Sequence, residues 1–440
     1  MDLADRYINT KATKYLLRAD KIEQAESVVS LFTKHEGDSR SNLFEMQCMW
    51  YEIETGNAFL RLGDIPRSLK YFMGVDKHFD DFIEDQFDFH AYCLRKVTLR
   101  SYVVLLHMED RIRGHEYYSL ACHGAVVCYL RVHDMPALFK EDKDEDLDFS
   151  KMTAAEKKKA KTKARKAILK KQKEEEEAKQ REAEKKEALE KAKKEGGKRR
   201  TRKLEVDKDP DGKIAFDEVK GKPLEAAWKL LEKLQPIAAD RIQTHLDTFD
   251  IAVRMKKYAL CISALKKGAT CVASGIDHPE IHWRLVALMN SVENEKLFFA
   301  PWASVSTNSD DVCSFVNVKM DVSPVVLKAV KDIGSQLLGN KPASVVAEEY
   351  LNKYKNSSSS LRKLSGAKAW IMIRASAPEN ENEKIFSTLV DTEKDNQETK
   401  LESSVKILAF IRSFCPNASI VDKFISDCRV KYPLAAVFQE

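Results

Sequence analysis

The sequence predicts an all-α protein, and the main reason is its amino-acid composition. The 15 glycines and 12 prolines make up about 6% of the 440 residues, roughly half of average usage. This scarcity argues against a turn-rich all-β fold and against a glycine-dependent cofactor fold. Charged residues reach 32% of the chain, above the usual ~25%, which indicates many exposed helix faces.

A helical hairpin is predicted from residues 56–72, which read GNAFLRLGDIPRSLKYF. Gly56 permits close approach of the first helix to the second, Gly63 supplies a turn, and Phe72 lies on the second helix. This order is typical of a tetratricopeptide helix pair. Two weaker copies cover residues 15–29 and 249–283. We therefore predict a tetratricopeptide-like α-solenoid with concave surfaces suited to a partner, with unrelated amphipathic helix pairs as the alternative.

An unusually aromatic stretch follows at residues 86–106. Its apolar and aromatic side chains fall on nearly every face of one predicted helix. Because a helix that is apolar on all sides is buried between neighbours, we predict that this helix lies in the interior.

The net charge of +5 conceals a strongly basic segment. Residues 151–203 contain 23 Lys and Arg against 10 Asp and Glu, a local charge of +13, and the rest of the chain sums to −8. Pairs of Glu and a base at i,i+4 spacing over 174–195 favour a single exposed helix. The large apolar residues Ile168, Leu169 and Leu189 are too few for a coiled-coil seam.

Amphipathic helices are predicted again after this segment. They cover residues 224–234, 238–252, 259–273, 281–297, 361–375, 400–414 and 420–430. We therefore divide the chain into four parts: helical repeats 1–135, a long charged helical insert with its linker 136–222, helical repeats 223–355 and a C-terminal helical cap 356–440.

The bases at the start of the charged insert are candidates for ribosome or RNA binding. Clustered bases that neutralise phosphates give salt-dependent, sequence-independent affinity. A solvated helix without a partner is the alternative. The candidates are Lys157, Lys158, Lys159, Lys161, Lys163, Arg165, Lys166, Lys170, Lys171 and Lys173, with no acid among them.

A second basic cluster lies near the start of the chain and is a candidate anion site. It contains Arg6, Lys11, Lys14 and Tyr15. Lys11, Lys14 and Arg18 are spaced so that they share one stripe of a helix. An ordinary exposed helix face is the alternative.

One motif imitates a calcium-binding loop. Residues 207–218, DKDPDGKIAFDE, place carboxylates at positions 1, 3 and 5, glycine at 6 and glutamate at 12, as an EF-hand loop does. The basic run before the loop, and Gly221 and Pro223 after it, do not form the flanking helices that the motif requires. We predict a solvated acidic linker here, and no metal site at His278 and His282, which lack a nearby third ligand.

The sequence contains no enzyme or membrane signature that we can identify. It has no nucleophile elbow, no acyl-CoA loop and no supported pair of catalytic Cys and His. The first residues lack an apolar signal region, and no run approaches 18 apolar residues. Nine widely spaced cysteines without a CxxC pair indicate reduced thiols. We predict a non-catalytic cytoplasmic protein with no metal, no membrane partner and no cofactor of its own.

Several sequence blocks occur in a specific order. They are 2–11 (DLADRYINTK), 45–50 (EMQCMW), 85–90 (DQFDFH), Tyr92-Cys93, Arg95-Lys96, Thr98-Leu99-Arg100, the Lys/Glu-rich insert, Thr244-His245-Leu246, and Ser365 with Ala367-Lys368. With these blocks the chain resembles the auxiliary (large) subunit of the eukaryotic N-terminal acetyltransferase A complex, a tetratricopeptide-repeat family. The resemblance covers most of this chain, fades after about Pro301, and corresponds to the C-terminal half of the family's architecture.

This resemblance implies a non-catalytic scaffold. In the family, the helical solenoid wraps a small catalytic acetyltransferase subunit and anchors it to the ribosome for co-translational N-terminal acetylation. Family members also bind inositol hexakisphosphate as a structural anion, for which Arg6, Lys11, Lys14 and Tyr15 are our candidates. The alternative is a general ribosome- or RNA-associated helical repeat scaffold without an acetyltransferase link.

Overall fold

The computed structural model describes residues 5–33, 39–84, 86–139, 207, 209–299, 316–320, 322–374, 379–394, 400–415 and 417–439. Within these ranges nearly all of the regular structure is α-helical, which confirms the predicted fold class. No helix among the described residues is long and apolar enough to cross a membrane. Most of the charged insert, including the candidate bases at 157–173, lies outside the described residues.

Helices occupy most of the described chain before the insert. They are α1 (Arg6–Arg18), α2 (Ile22–Ser30), α3 (Ser39–Glu45), α4 (Met49–Leu62), α5 (Ile65–Glu84), α6 (Gln86–Lys96), α7 (Leu99–Glu109) and α8 (Glu116–Asp134). Short 3-10 turns at Ile112–Gly114 and Pro136–Phe139 precede and follow α8.

Helices resume after the insert. They are α9 (Lys213–Val219), α10 (Pro223–Leu234), α11 (Ile242–Arg254), α12 (Tyr258–Thr270), α13 (Pro279–Glu293), α14 (Pro324–Leu337), α15 (Ala343–Tyr354), α16 (Ser360–Ile373), α17 (Glu379–Lys394), α18 (Leu401–Phe414) and α19 (Ala418–Lys431). Two further 3-10 turns lie at Gly275–Asp277 and Ala436–Phe438.

An antiparallel hairpin between α13 and α14 corrects the predicted helix over 281–297. Strand β1 (Lys296–Phe299) pairs with β2 (Val316–Lys319), with Lys296 opposite Lys319. Helix α13 ends at Glu293 because Glu295 adopts a left-handed φ of 52°. That conformation takes the chain off the helical path.

The pair α4–α5 packs as its sequence predicted. Gly63 ends α4 with a left-handed φ of 81°. Ser68 donates a hydrogen bond to the carbonyl oxygen of Gly56 (2.8 Å), and a Cβ at Gly56 would lie 2.9 Å from the ring of Phe72. The same ring meets Gly124 of α8, where a Cβ would lie 2.3 Å away. Two glycines on different helices therefore make room for one buried aromatic ring.

The two weaker sequence copies are also helical hairpins. Asp20 (φ 59°) lies between α1 and α2, and Lys256 (φ 58°) lies between α11 and α12. In α2, Ala25 and Val29 are fully buried, and in α12 the small residue Ala264 is buried. These residues of the second helices therefore lie in the interior of the protein.

Ion pairs join the helices before the insert to those after it. Lys233 of α10 donates to both carboxylate oxygens of Asp76 on α5 (2.9 and 3.0 Å), and the Tyr118 hydroxyl of α8 donates to the same carboxylate (2.9 Å). Arg254 of α11 forms two hydrogen bonds with Asp134 of α8 (2.8 and 2.6 Å).

The boundaries of the four predicted parts stay a prediction.

The C-terminal helical cap has a core of its own. Phe386 of α17, Phe410 of α18 and Phe438 are fully buried in one cluster. Lys363 of α16 and Glu393 of α17 form a buried ion pair (3.0 Å). The cap is therefore held by apolar packing and by a shielded charge pair.

The eight cysteines in the described ranges are free thiols, as the sequence predicted. Five of them are buried. Burial raises the pKa of the Cys128 thiol to about 12 and that of Cys48 to about 11, so both stay protonated near neutral pH.

Candidate partner-binding surfaces

The hairpin α6–α7 exposes apolar side chains that the sequence placed in the interior. None of the residues of α7 is buried, and Val97 at the turn is 75% exposed. This finding corrects the predicted burial for residues 92–106, because the stretch forms two helices that meet at Val97 and leave most of these side chains exposed. The side chains of residues 86–89 and 91, which the prediction also covered, lie outside the described residues. We call the exposed face of this hairpin the α6–α7 surface; its exposed apolar residues are Tyr92, Leu94, Val97, Leu99, Val103, Val104 and Met108.

Local hydrogen bonds fix the shape of this hairpin. Val97 adopts a left-handed φ of 57°, and the Thr98 N–H donates to the carbonyl oxygen of Cys93 (3.2 Å). Cys93 is buried, and the His90 ring of α6 hydrogen-bonds the Tyr102 hydroxyl of α7. The two helices therefore present their apolar residues together.

Basic residues surround the apolar tip of the α6–α7 surface. Arg95, Lys96 and Arg100 are exposed beside it. Clusters of exposed apolar residues rimmed by polar groups mark interaction sites. Such a rim favours a partner whose apolar face is edged by acidic residues, because complementary charge steers the encounter and fixes its register.

The four candidate anion residues lie on α1. Arg6, Lys11 and Tyr15 are exposed. Lys14 is half-buried, with its ammonium 5.1 Å from the ring centroid of Trp50 at the start of α4. The geometry thus adds Trp50, which the sequence did not indicate because it lies 36 residues after Lys14 with no local signal.

Arg18 shares the predicted stripe but is already neutralised. Its Nε and Nη2 donate to Glu54 Oε1 of α4 (3.1 and 2.6 Å). The hydrogen bond to Glu54 raises the pKa of Arg18. Among the described residues of α1, this leaves Arg6, Lys11 and Lys14 as cations for an external anion.

The loop at residues 207–218, which we call the aspartate-rich loop, is held against α5 by ion pairs, which corrects the prediction of a solvated linker. Asp211 accepts from Nε and Nη2 of Arg67 on α5 (3.0 and 2.5 Å), and Asp207 pairs with Lys70. Within the described ranges, no three His, Cys, Asp or Glu side chains are grouped to hold a metal ion.

The two histidines that share a helix face have separate structural roles. His278 caps α13, its Nδ1 accepting from the Glu280 N–H (3.3 Å). His282 stacks on Tyr350 of α15, with ring centroids 3.6 Å apart. Burial lowers the pKa of His282 to about 4, so this ring is neutral at physiological pH.

Comparison with known proteins identifies the family of this chain. A family model described as "N-terminal acetyltransferase A, auxiliary subunit" matches residues 1–268, more than half of the chain. The chain belongs to this family. The match covers α1–α11 and nearly all of α12, including the α6–α7 surface and the candidate anion residues of α1.

Curated auxiliary subunits are similar to this chain over part of their length. The Arabidopsis thaliana protein "N-terminal acetyltransferase A complex auxiliary subunit NAA15" is 43% identical over 67% of this chain and 31% of its own. The mouse protein "N-alpha-acetyltransferase 16, NatA auxiliary subunit" is 35% identical over 100% of this chain and 46% of its own. The human protein of the same name is 42% identical over 67% of this chain and 33% of its own. The chain thus spans about a third to a half of these auxiliary subunits.

This chain is also similar to a solved structure described as "Structure of Naa15/Naa10 bound to HypK-THB". The sequence identity is 25% and the TM-score is 0.49. The alignment covers 76% of this chain and 36% of the solved chain.

Proposed function

We propose that this protein is a non-catalytic scaffold of a cytoplasmic N-terminal acetyltransferase A complex and that it binds the catalytic subunit through the α6–α7 surface. The main observation that supports this proposal is the exposure of the apolar residues on that surface. The family and the names of its members as auxiliary subunits support it. The chain's own basic insert is a poor cover for this surface, since Ile168, Leu169 and Leu189 are its large apolar residues between 153 and 203.

Aspartate at Leu94 and Val104 is expected to weaken capture of the catalytic subunit about 30-fold. Both side chains are more than 60% exposed, so the free protein tolerates the change, whereas a desolvated interface residue contributes about 2 kcal/mol or more. Co-expression and affinity capture with quantified stoichiometry measures the loss. The matched control is Val430→Asp on α19, a valine that is 84% exposed. Equal capture by all variants would refute this surface.

We also propose that inositol hexakisphosphate binds at Arg6, Lys11, Lys14 and Tyr15. The exposure of Arg6, Lys11 and Tyr15 on α1, together with the half-buried Lys14 beside Trp50, supports a cationic surface that is open to an anion. The expected effect of Lys11→Gln or Lys14→Gln is a loss of affinity of about tenfold or more, because charge-assisted hydrogen bonds contribute about 1.5–3 kcal/mol.

Isothermal titration of the full chain with inositol hexakisphosphate measures this loss. Lys21→Gln is the control, since Lys21 is an exposed lysine at the start of α2. The assignment fails if the control and the two test variants bind equally well.

Ribosome anchoring is proposed for the ten bases between Lys157 and Lys173, which lie outside the described residues. Reversing two of them, Lys158→Glu with Lys163→Glu, is expected to weaken co-sedimentation with ribosomes about tenfold at low salt. The control reverses two exposed lysines of α14, Lys328 and Lys331. Sedimentation that both double variants reduce equally would assign the effect to overall charge.

The alternative function is a general ribosome- or RNA-associated helical scaffold without an acetyltransferase link. The charge of +13 over residues 151–203 favours it. Affinity capture distinguishes the two proposals, because the scaffold of an acetyltransferase recovers a stoichiometric small catalytic subunit. Recovery of ribosomes without that subunit would favour the alternative.

A further inference from the structure

A histidine of α8 lies at the contact between α8 and α11. His123 Nδ1 is 2.9 Å from Asp247 Oδ1 and 3.1 Å from the amide nitrogen of Gln243, and both of these residues belong to α11. The same amide nitrogen donates to Asp247 Oδ1 (2.9 Å). One ring nitrogen of a helix before the charged insert thus meets a carboxylate and an amide of a helix after it.

The two neighbours of Nδ1 require opposite states of that nitrogen. A carboxylate accepts hydrogen bonds, so Asp247 pairs with Nδ1 when the nitrogen carries a proton. An amide nitrogen donates, so Gln243 pairs with Nδ1 only when the nitrogen carries none. The imidazolium is therefore restricted to Asp247, whereas the neutral ring can exchange to Gln243.

The two partners of the ion pair differ in their access to water. The side chain of His123 is 42% exposed, whereas that of Asp247 is 4% exposed. The ring can therefore take up and release protons without unfolding of the helices. The buried carboxylate is poorly screened by water, which strengthens its attraction for a cation.

The charged groups around His123 favour the imidazolium. Burial alone would lower the pKa of His123, but the charge and the hydrogen bond of Asp247 raise it and Asp250 adds to their effect, whereas Lys406 of α18 opposes them. The net result is a pKa above the ordinary value of 6.5. The charged link is thus complete below the unfolded pKa of ~6.5 and is lost as the pH rises through the folded pKa.

Two arginines hold the same two helices together on either side of His123. Arg254 of α11 binds Asp134 at the end of α8, and Arg241, just before α11, donates to the Ser119 hydroxyl near the start of α8. Arginine stays charged at any physiological pH. Loss of the His123 charge therefore loosens the middle of the contact without separating the helices.

We propose that His123 is a pH-sensitive link between the helices before the charged insert and those after it. As an imidazolium it donates to Asp247, and as a neutral ring it accepts from Gln243. The inference does not require the catalytic acetyltransferase subunit, so its failure leaves the proposed scaffold function standing.

Hydrogen exchange of the full chain at about pH 6 and about pH 8 tests this link. After correction for the intrinsic pH dependence of exchange, amides in the middle of α8 and α11 are expected to exchange about fivefold faster at the higher pH, because a charge-assisted hydrogen bond is stronger than a neutral one. His123→Gln is expected to give the same corrected rate at both pH values. Persistence of the pH effect in this variant would overturn the proposal.

The matched control is His133→Gln on the same helix. The His133 side chain is 40% exposed, and its Nδ1 lies 3.2 Å from the carboxylate of Asp134, the next residue of α8. This contact joins no second helix, so the variant should retain the full pH effect. Loss of the effect in both variants would assign it to the overall charge of α8 and would count against the link.

Titration of the His123 ring by NMR spectroscopy provides a second measurement. Asp247→Asn removes the carboxylate that favours the imidazolium, so the midpoint of the His123 titration is expected to move to lower pH. Asp217→Asn, which alters an exposed acid of α9 that pairs with Lys220, should leave the midpoint unchanged. A midpoint that is the same in the Asp247→Asn variant and the unaltered chain would refute the role of Asp247.

Discussion

Alanine at Gly124 is expected to lower the free energy of unfolding by about 2 kcal/mol. The added Cβ would lie 2.3 Å from Cζ of Phe72 and 2.6 Å from Cε1 and Cε2. Phe72 is 1% exposed and is also in close contact with Gly56, so its ring has no room to retreat. Overpacking of this kind costs roughly 3 kcal/mol, and the better helix propensity of alanine returns about 1 kcal/mol.

Denaturant unfolding of two further variants tests the cause of this loss. Gly221→Ala is the control, because Gly221 is exposed and nothing lies within 4 Å of its added Cβ; it should change stability by less than about 0.5 kcal/mol. Phe72→Leu in the Gly124→Ala background removes the clash and should recover part of the loss. A double variant as unstable as the sum of the single variants would contradict the steric explanation, since residues in contact are expected to be non-additive.

Methionine at Arg284 is expected to destabilise the protein by about 3–5 kcal/mol. Arg284 of α13 is nearly buried and donates to both oxygens of Asp250 on α11 (3.1 and 2.8 Å). It also donates to Glu280 Oε2 (2.7 Å), and its guanidinium lies 4.4 Å from the ring centroid of Trp283. Removing this cation leaves two carboxylates without their shared partner.

The pH dependence of Arg284→Met provides a second test. Burial alone would raise the pKa of Glu280, but Lys368 and Arg284 hold that pKa far below its usual value. A depressed carboxyl pKa stabilises the fold above the unfolded pKa of ~4.3, and this contribution is lost as the pH falls below it. The deficit of the variant should therefore be greatest near pH 7 and shrink on acidification below about pH 4.

An exposed pair of similar geometry serves as the control for Arg284. Arg18 also makes two hydrogen bonds to one carboxylate, that of Glu54, but its side chain is 57% exposed. Arg18→Met should therefore cost less than about 1 kcal/mol. Equal losses in the free energy of unfolding for Arg18→Met and Arg284→Met would show that burial does not explain the contribution of the Arg284 ion pair to stability.

The aspartate-rich loop and the α6–α7 surface are two places where the prediction from the sequence was wrong. The loop pattern at 207–218 is a local signal, but Arg67 and Lys70 are more than 130 residues away, so the sequence alone indicated a solvated linker. Likewise, the apolar composition of 86–106 is local, whereas its exposure depends on which helices pack beside it. At these two places the structure corrected the prediction that had been made from the sequence.

The sequence by itself determined the helical class, the order of the hairpins and the position of the α4–α5 turn, because spacing and turn chemistry act over a few residues. It also indicated that Gly56 allows close approach of α4 to α5. Only the tertiary structure decided that Gly124 completes the space for that ring and that Trp50 lies under Lys14. These contacts depend on how distant helices pack, and the residues involved carry no sequence signal for one another.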